Sequence, residues 1–216
     1  FMGLEIDVSP GVLVPRPDTE TLVEAALDFL AARAASRPGL LRFLDIGTGT
    51  GCVAAALSFH LRQRGIRHEA LASDTSPEAL ALAARNLARL DLAETVRLVH
   101  ADLFPPETLA LDLVVSNPPY IPTPALDGLM PEVALHDPRS ALDGGPDGLD
   151  ILRRIVALAP DRLLPGGALM LEHGAEQAPS VASLLEDQPG FGSARMIRDA
   201  GGLPRITLAL RGKEIP

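Results

Sequence analysis

Apolar positions along this chain alternate between two patterns. Short runs rich in Leu, Ile and Val, at 42–46, 68–73, 95–100, 111–116 and 168–172, read as buried strands. Between them lie Ala/Leu-rich stretches with apolar positions three and four apart, at 52–64, 76–90, 148–162 and 175–187, which read as helices packed on a sheet. A further helix at 18–35 precedes the first strand. It carries Leu22, Val23, Ala26, Leu27 and Leu30 on one face, and Thr21 with Glu24 fits a capping box. Ser76-Pro77-Glu78 opens the third helix, with Ser76 as N-cap and proline in the permitted first turn. Gly166-Gly167 reads as the turn into strand 168–172. Two closing strands, 193–198 and 205–210, have no helix between them and predict an antiparallel end. The expected fold is α/β and doubly wound, a seven-stranded, mostly parallel sheet with an antiparallel C-terminal strand.

Residues 117–147 break the alternation. Pro118, Pro119, Pro122, Pro124, Pro131 and Pro138 forbid a long regular element there. A loop of this length, starting where a buried strand ends, is expected to serve a ligand.

Composition narrows the classes. The 216 residues, 47% hydrophobic and 22% charged, suit a single globular domain. No run of about 18 apolar residues suggests a membrane helix. Phe1-Met2-Gly3-Leu4-Glu5 lacks the basic and apolar segments of a secretory signal. Cys52 is the one cysteine, so internal disulfides are excluded and a cytoplasmic setting is expected. The net charge of −9, with Lys213 the one lysine among 19 basic residues, argues against non-specific nucleic-acid binding.

Candidate chemistry begins after the first strand, in Asp45-Ile46-Gly47-Thr48-Gly49-Thr50-Gly51. Glycines there permit positive φ and close approach of a ligand to the backbone, and the next helix offers its free N–H groups. The stretch from Gly49 to Ala54 also fits the dinucleotide pattern G-x-G-x-x-A. Asp45 suits a cationic ligand instead, such as the sulfonium and ammonium of S-adenosylmethionine. Asp74, closing the second strand, is placed to accept from ribose hydroxyls, or else to cap a helix. Asp102, after the third strand, can accept an adenine amino group, with Leu103 flanking the ring. Cys52 opens the following helix, where a thiol pKa can fall, although packing is the simpler role.

Ser116-Asn117-Pro118-Pro119-Tyr120 follows the fourth strand. Its prolines stiffen the backbone, and the Asn117 side-chain oxygen and Pro118 carbonyl together match the two N–H bonds of a planar NH₂ group. Tyr120 is expected to stack on that substrate and exclude water.

D-x-G-T-G-T-G, the acidic end of the second strand and N-P-P-Y together resemble class I S-adenosylmethionine-dependent methyltransferases, a Rossmann-like fold acting on planar nitrogen. Three further stretches resemble the protein-glutamine N5-methyltransferases: Phe1 to Glu5, Val12 to Glu20 with its Pro15-Arg16-Pro17-Asp18-Thr19-Glu20 form, and Glu132 to Leu149. The P-R-P-D-T-E form resembles the branch that modifies peptide chain release factors. The resemblance spans the whole chain.

It implies methylation of the glutamine of a release factor GGQ motif. S-adenosylmethionine would be the methyl donor and S-adenosylhomocysteine the product. Thr19, Asp45, Gly47, Thr48, Gly49, Thr50, Gly51, Asp74, Asp102, Leu103 and Asn117 would hold the donor, and Asn117, Pro118, Pro119 and Tyr120 the glutamine. Leu103 stands where the family often has an aromatic residue. Residues 1–40 are expected as a β-hairpin and helix lead-in packed on a catalytic domain of residues 41–216. The family's N-terminal helical domain is absent from this chain, whether by truncation or naturally. A cytoplasmic monomer is expected, with release factors as partners and neither stable nucleic acid nor membrane. No metal is expected. Glu132 and His136 are weak candidates for a proton acceptor, and Arg16 and Arg139 read as loop-fixing. The alternatives are N6-adenine DNA methylation, which also uses N-P-P-Y but needs base flipping and a basic groove, and methylation of a ribosomal-protein glutamine. A nicotinamide-dependent oxidoreductase and a non-enzymatic binding module compete less well.

Overall fold

The structure, a computed structural model, describes residues 1–106, 108, 110–130 and 137–212. Seven strands, β1 (Leu41–Ile46), β2 (His68–Asp74), β3 (Val96–His100), β4 (Leu111–Ser116), β5 (Leu163–Glu172), β6 (Arg195–Arg198) and β7 (Pro204–Leu210), form one sheet in the order β3-β2-β1-β4-β5-β7-β6. The first five pair in parallel, and β7 runs antiparallel to both β5 and β6. The expected doubly wound sheet with an antiparallel end is therefore present.

Both faces of the central strands are buried, and the two-residue period of a strand divides their side chains between two cores. Phe43, Leu113 and Val115 face α1 (Glu20–Ser36) and α2 (Cys52–Gln63), and Leu87 of α3 (Pro77–Arg89) joins that side. Leu44, Ile46 and Val114 face α4 (Asp150–Leu158) and α5 (Ala178–Asp187). Ser76 caps α3 as expected, its side chain accepting from the Ala79 N–H at 3.1 Å. At the far end of the sheet, the buried Asp112 carboxylate accepts from Arg33 Nε at 3.1 Å, Arg37 Nη1 at 2.8 Å and the Arg42 N–H at 3.0 Å, tying α1 to β1 and β4.

Local expectations fail in three places. Residues 1–16 form no hairpin, because Pro10 and Pro15 remove ladder donors and side chains take up the free N–H groups. Glu20 accepts from Met2, Asn86 from Asp7 and Asp137 from Val14. Thr21 and Glu24 form no capping box, because a 3₁₀ turn at Pro17–Thr19 starts the helical path earlier and places Thr21 inside α1. Gly166 and Gly167 lie inside β5, not before it. There the β4–β5 register shifts, and a Cβ on Gly167 would sit 2.9–3.1 Å from three backbone carbonyl oxygens.

Candidate active site

The strand order reverses between β1 and β4, the place where ligands bind in open α/β sheets. A cleft of about 220 Å³ opens there. Its walls include Thr19, Asp45, Gly47, Thr48, Gly49, Thr50, Asp74, Asp102, Leu103, Asn117, Pro118 and Pro119, which sequence reasoning assigned to one site.

The floor is built from β1. Asp45 is 1% exposed, and its Oδ2 accepts from Thr48 Oγ1 at 2.6 Å and the Ala54 N–H at 3.2 Å. Burial outweighs those two bonds and pushes its pKa up to about 6, with nearby Asp74 adding to the rise. A buried carboxylate of this kind is relieved by a cation. Gly47 and Gly49 adopt φ of +70° and +55°, which L side chains rarely do, and a Cβ on Gly47 would enter open space.

While Ser76 caps α3, Asp74 lines the cleft and holds two backbone N–H groups. Its Oδ2 accepts from the Gly49 N–H and its Oδ1 from the Ser76 N–H, each at 2.9 Å, so it fixes the glycine loop and the turn before α3 while lining the cleft. Each oxygen keeps a lone pair for a ligand hydroxyl. Asp102 also lines the cleft but is ion-paired to Arg154 at 2.6 Å. Leu103 is held at φ +67°, with Ser73 Oγ donating to its carbonyl at 2.6 Å; its buried side chain forms part of the wall.

Ser116 Oγ donates to the Ile46 carbonyl at 2.8 Å and locks the end of β4 to the end of β1. Asn117 follows directly. Its Nδ2 donates to Thr19 Oγ1 at 3.0 Å, leaving Oδ1 without a hydrogen bond among the described residues.

Two assigned residues stand outside the cleft wall. Gly51, at φ +80°, sits against α3, where an added Cβ would meet the Ala83 Cβ at 3.0 Å; its lack of a side chain serves packing. Tyr120 turns inward. Gln177 donates to its carbonyl at 2.8 Å, and its hydroxyl lies in the field of Arg205, which pairs with Asp18 and Asp199. Burial pushes the tyrosine pKa up to about 12. Tyr120 is half-buried against the core on the α4 and α5 side and does not line the cleft.

Sequence reasoning also missed several groups. Gly11, Val12 and Leu13 of the lead-in and Ser140 and Ala141 of the proline-rich segment line the cleft. Arg16 pairs with Asp137 and Arg139 with Asp143, the loop-fixing roles expected of them. Cys52 lies in the wall with its thiol pushed up to about 12 by burial, so packing, not reactivity, describes it. Glu172 closes β5 at 1% exposure; burial raises its pKa to about 7 against a hydrogen bond from Thr19. A carboxylate ending the apolar run Ala168-Leu169-Met170-Leu171 is the signal that could have found it. Glu132 and His136 lie outside the described residues.

The sheet order, with its ligand cleft at the β1/β4 reversal, is that of the Rossmann-like methyltransferases, and a family model described as "Methyltransferase small domain" matches residues 23–145. Solved structures share the fold: a methyltransferase from Pyrococcus furiosus at TM-score 0.65 and 20% identity covers 98% of this chain and 90% of its own. The N-terminal domain of human METTL16 in complex with SAH, at TM-score 0.65 and 22% identity, covers 99% and 77%. Curated relatives name the branch. The release factor glutamine methyltransferase of Gloeobacter violaceus is 44% identical over 96% of this chain and 70% of the relative; that of Mycobacterium tuberculosis is 38% identical over 100% and 69%. The chain belongs to the release factor glutamine methyltransferase family.

Proposed function

We propose that this chain methylates the side-chain amide nitrogen of the GGQ glutamine in peptide chain release factors, using S-adenosylmethionine. The observation that carries the reading is the Asn117 amide. It is held through Nδ2 by Thr19, with Oδ1 free at the cleft beside Pro118, in a chain 44% identical to a release factor glutamine methyltransferase.

The cleft fits the donor. Asp45 offers a buried anion for its cationic amino-acid end, the Gly47–Gly49 backbone gives room for close approach, and Asp74 meets the ribose. Asp102 and Leu103 border the adenine end. When bound, S-adenosylmethionine supplies an electrophilic methyl group on a sulfonium. Asn117 Oδ1 and the Pro118 carbonyl accept the two N–H bonds of the glutamine amide and fix its plane. An amide nitrogen is a weak nucleophile because its lone pair is delocalised, so orientation and exclusion of water carry the catalysis. Pro119 stiffens the platform, and Gln177, donating to the Tyr120 carbonyl, holds it in place.

Adenine methylation in DNA and methylation of a ribosomal-protein glutamine are not favoured, since the relatives are named for release factors. Incubation with labelled S-adenosylmethionine and either a release factor or duplex DNA tests the reading. Label is expected on the release factor at its GGQ glutamine, and label on DNA alone would overturn it.

A further inference from the structure

We propose that Gln177 is a positioning residue: its side-chain amide clasps the Asn117-Pro118-Pro119-Tyr120 turn to the proline-rich wall of the cleft and so sets where the Asn117 acceptor stands. The effect on turnover rests on the glutamine-methylation reading, whereas the clasp itself is geometry.

Pro118 and Pro119 have no N–H with which to tie their own turn down, so the tie must come from elsewhere. Gln177 supplies it. This residue ends the 3₁₀ turn Ala175–Gln177, which leads from β5 into α5, and it does not line the cleft. The hydrogen bonds of its amide run to backbone groups, which cannot exchange roles: an N–H donates and a carbonyl accepts. Oε1 accepts from the Gly174 N–H at 2.9 Å, which commits Nε2 to the opposite side. There Nε2 donates to the Tyr120 carbonyl at 2.8 Å and reaches the Gly148 and Asp147 carbonyls at 3.3 and 3.4 Å. Among the described residues no other donor reaches the Tyr120 carbonyl. One side chain thus joins the chain just beyond β5, the N-P-P-Y turn and the Asp147–Gly148 backbone.

The last two of these nest with no side chain between them. Gly144 and Gly148 are both buried. A Cβ on Gly144 would sit 2.8 Å from the Pro119 and Gly148 carbonyl oxygens and the Tyr120 Cα, and one on Gly148 would collide with the Tyr120 carbonyl and the Gln177 amide. Backbone bonds continue the seam, from the Ile121 N–H to the Leu142 carbonyl and from the Gly144 N–H to the Ile121 carbonyl, each at 2.9 Å. Ser140 and Ala141, just before that seam, line the cleft together with Asn117 and Pro118. A clasp that fixes the seam therefore fixes the platform relative to the wall, and it acts on orientation without touching substrate or donor.

Gln177→Glu in the full chain tests this. The variant keeps an oxygen for the Gly174 N–H. Ionised, it sets its second oxygen against three carbonyls; protonated, it donates to the Tyr120 carbonyl again. In ¹⁵N-labelled protein the Asn117 side-chain NH₂ signals, identified by their loss in Asn117→Ala, are expected to move from the wild-type position at about pH 8 and to return as pH falls toward about 5. In methyl transfer to a release factor, kcat is expected to be roughly ten- to a hundredfold below wild type at about pH 8, while the KM for S-adenosylmethionine changes less than about twofold. The ratio of variant to wild-type kcat, which cancels the titration of every group the two proteins share, is expected to climb toward one in acid. Gln177→Met, of similar length but with no donor, is expected to show the loss at every pH. Asn117 signals at the wild-type position in both variants overturn the proposal, as does a Gln177→Glu rate ratio that stays flat with pH. Displaced and acid-restored Asn117 signals in a protein that cannot methylate release factors overturn the functional reading and leave the clasp standing.

Discussion

Arg16 and Asp137 lie 121 residues apart in sequence and form an ion pair that staples the lead-in to the proline-rich segment beside the cleft. The Asp137 side chain is 1% exposed and also accepts from the Val14 N–H at 3.3 Å, whereas Arg16 is 40% exposed. Removing the arginine strands a buried carboxylate, a loss of roughly 3–5 kcal/mol in a fully buried pair and less where one partner is wet. Arg16→Ala is expected to cost about 1–2 kcal/mol in urea unfolding and to raise the KM for the release factor more than it lowers kcat. Equal stability and equal KM would show that the staple is decorative.

Asn117 supplies the one acceptor at the cleft that no other described side chain duplicates in the N-P-P turn. Asn117→Ala is expected to cut kcat by at least about a hundredfold, the scale seen when an orienting group is lost. Binding of S-adenosylmethionine, followed by calorimetry, is expected to weaken but stay measurable, because Asp45 and the glycine loop are untouched. Full turnover in this variant would sink the mechanism.

Asp45 links ligand binding to pH. Its folded-state pKa, about 6, lies above the ordinary 3.8 because burial disfavours its charge. Such a group contributes stability that is complete below its unfolded pKa and is lost as pH rises through about 6. The ligand-free protein is therefore expected to be less stable at pH 8 than at pH 5 on this residue's account. A cationic ligand reverses the preference by favouring the carboxylate, so affinity for S-adenosylmethionine is expected to rise with pH up to about 6 and then level off. Asp45→Asn keeps an oxygen for Thr48 and Ala54. It is expected to stabilise the free protein by about 1–3 kcal/mol at pH 8 while weakening the cofactor at least tenfold. Calorimetric titration and thermal melts across pH read both effects.

Much of this was legible in the sequence because strands and helices announce themselves by period. The apolar runs at β1 and β4 and the glycine and N-P-P motifs that end them locate the cleft. The lead-in was not legible. Its path over residues 1–16 depends on side-chain acceptors on Glu20, Asn86 and Asp137, up to 123 residues away, and no local pattern encodes such partners. The position of Tyr120 outside the cleft wall was not legible for a related reason: the motif places its Cα, but Gln177, 57 residues on, holds its carbonyl. Glu172 was passed over because one polar residue at the end of a buried run looks like the strand's edge until burial on every side is seen.

Gly47 and Gly51 separate the two purposes of the glycine loop. Both have positive φ, +70° and +80°, so alanine at either strains the backbone by a similar amount, about 1 kcal/mol. Their surroundings differ. A Cβ on Gly47 meets nothing within 4 Å because it points into open space at the cleft, whereas on Gly51 it would press the Ala83 Cβ at 3.0 Å and the Ala83 Cα at 3.3 Å. Gly51→Ala must therefore push α2 and α3 apart, with an overpacking cost of roughly 1–3 kcal/mol added to the strain. Gly47→Ala escapes that cost but fills space the donor would use. Thermal melts are expected to rank Gly51→Ala well below Gly47→Ala, while calorimetry with S-adenosylmethionine at a temperature where both are folded ranks them the other way. Equal losses of affinity in the two variants would mean that the loop binds through its overall shape, not through the backbone at Gly47.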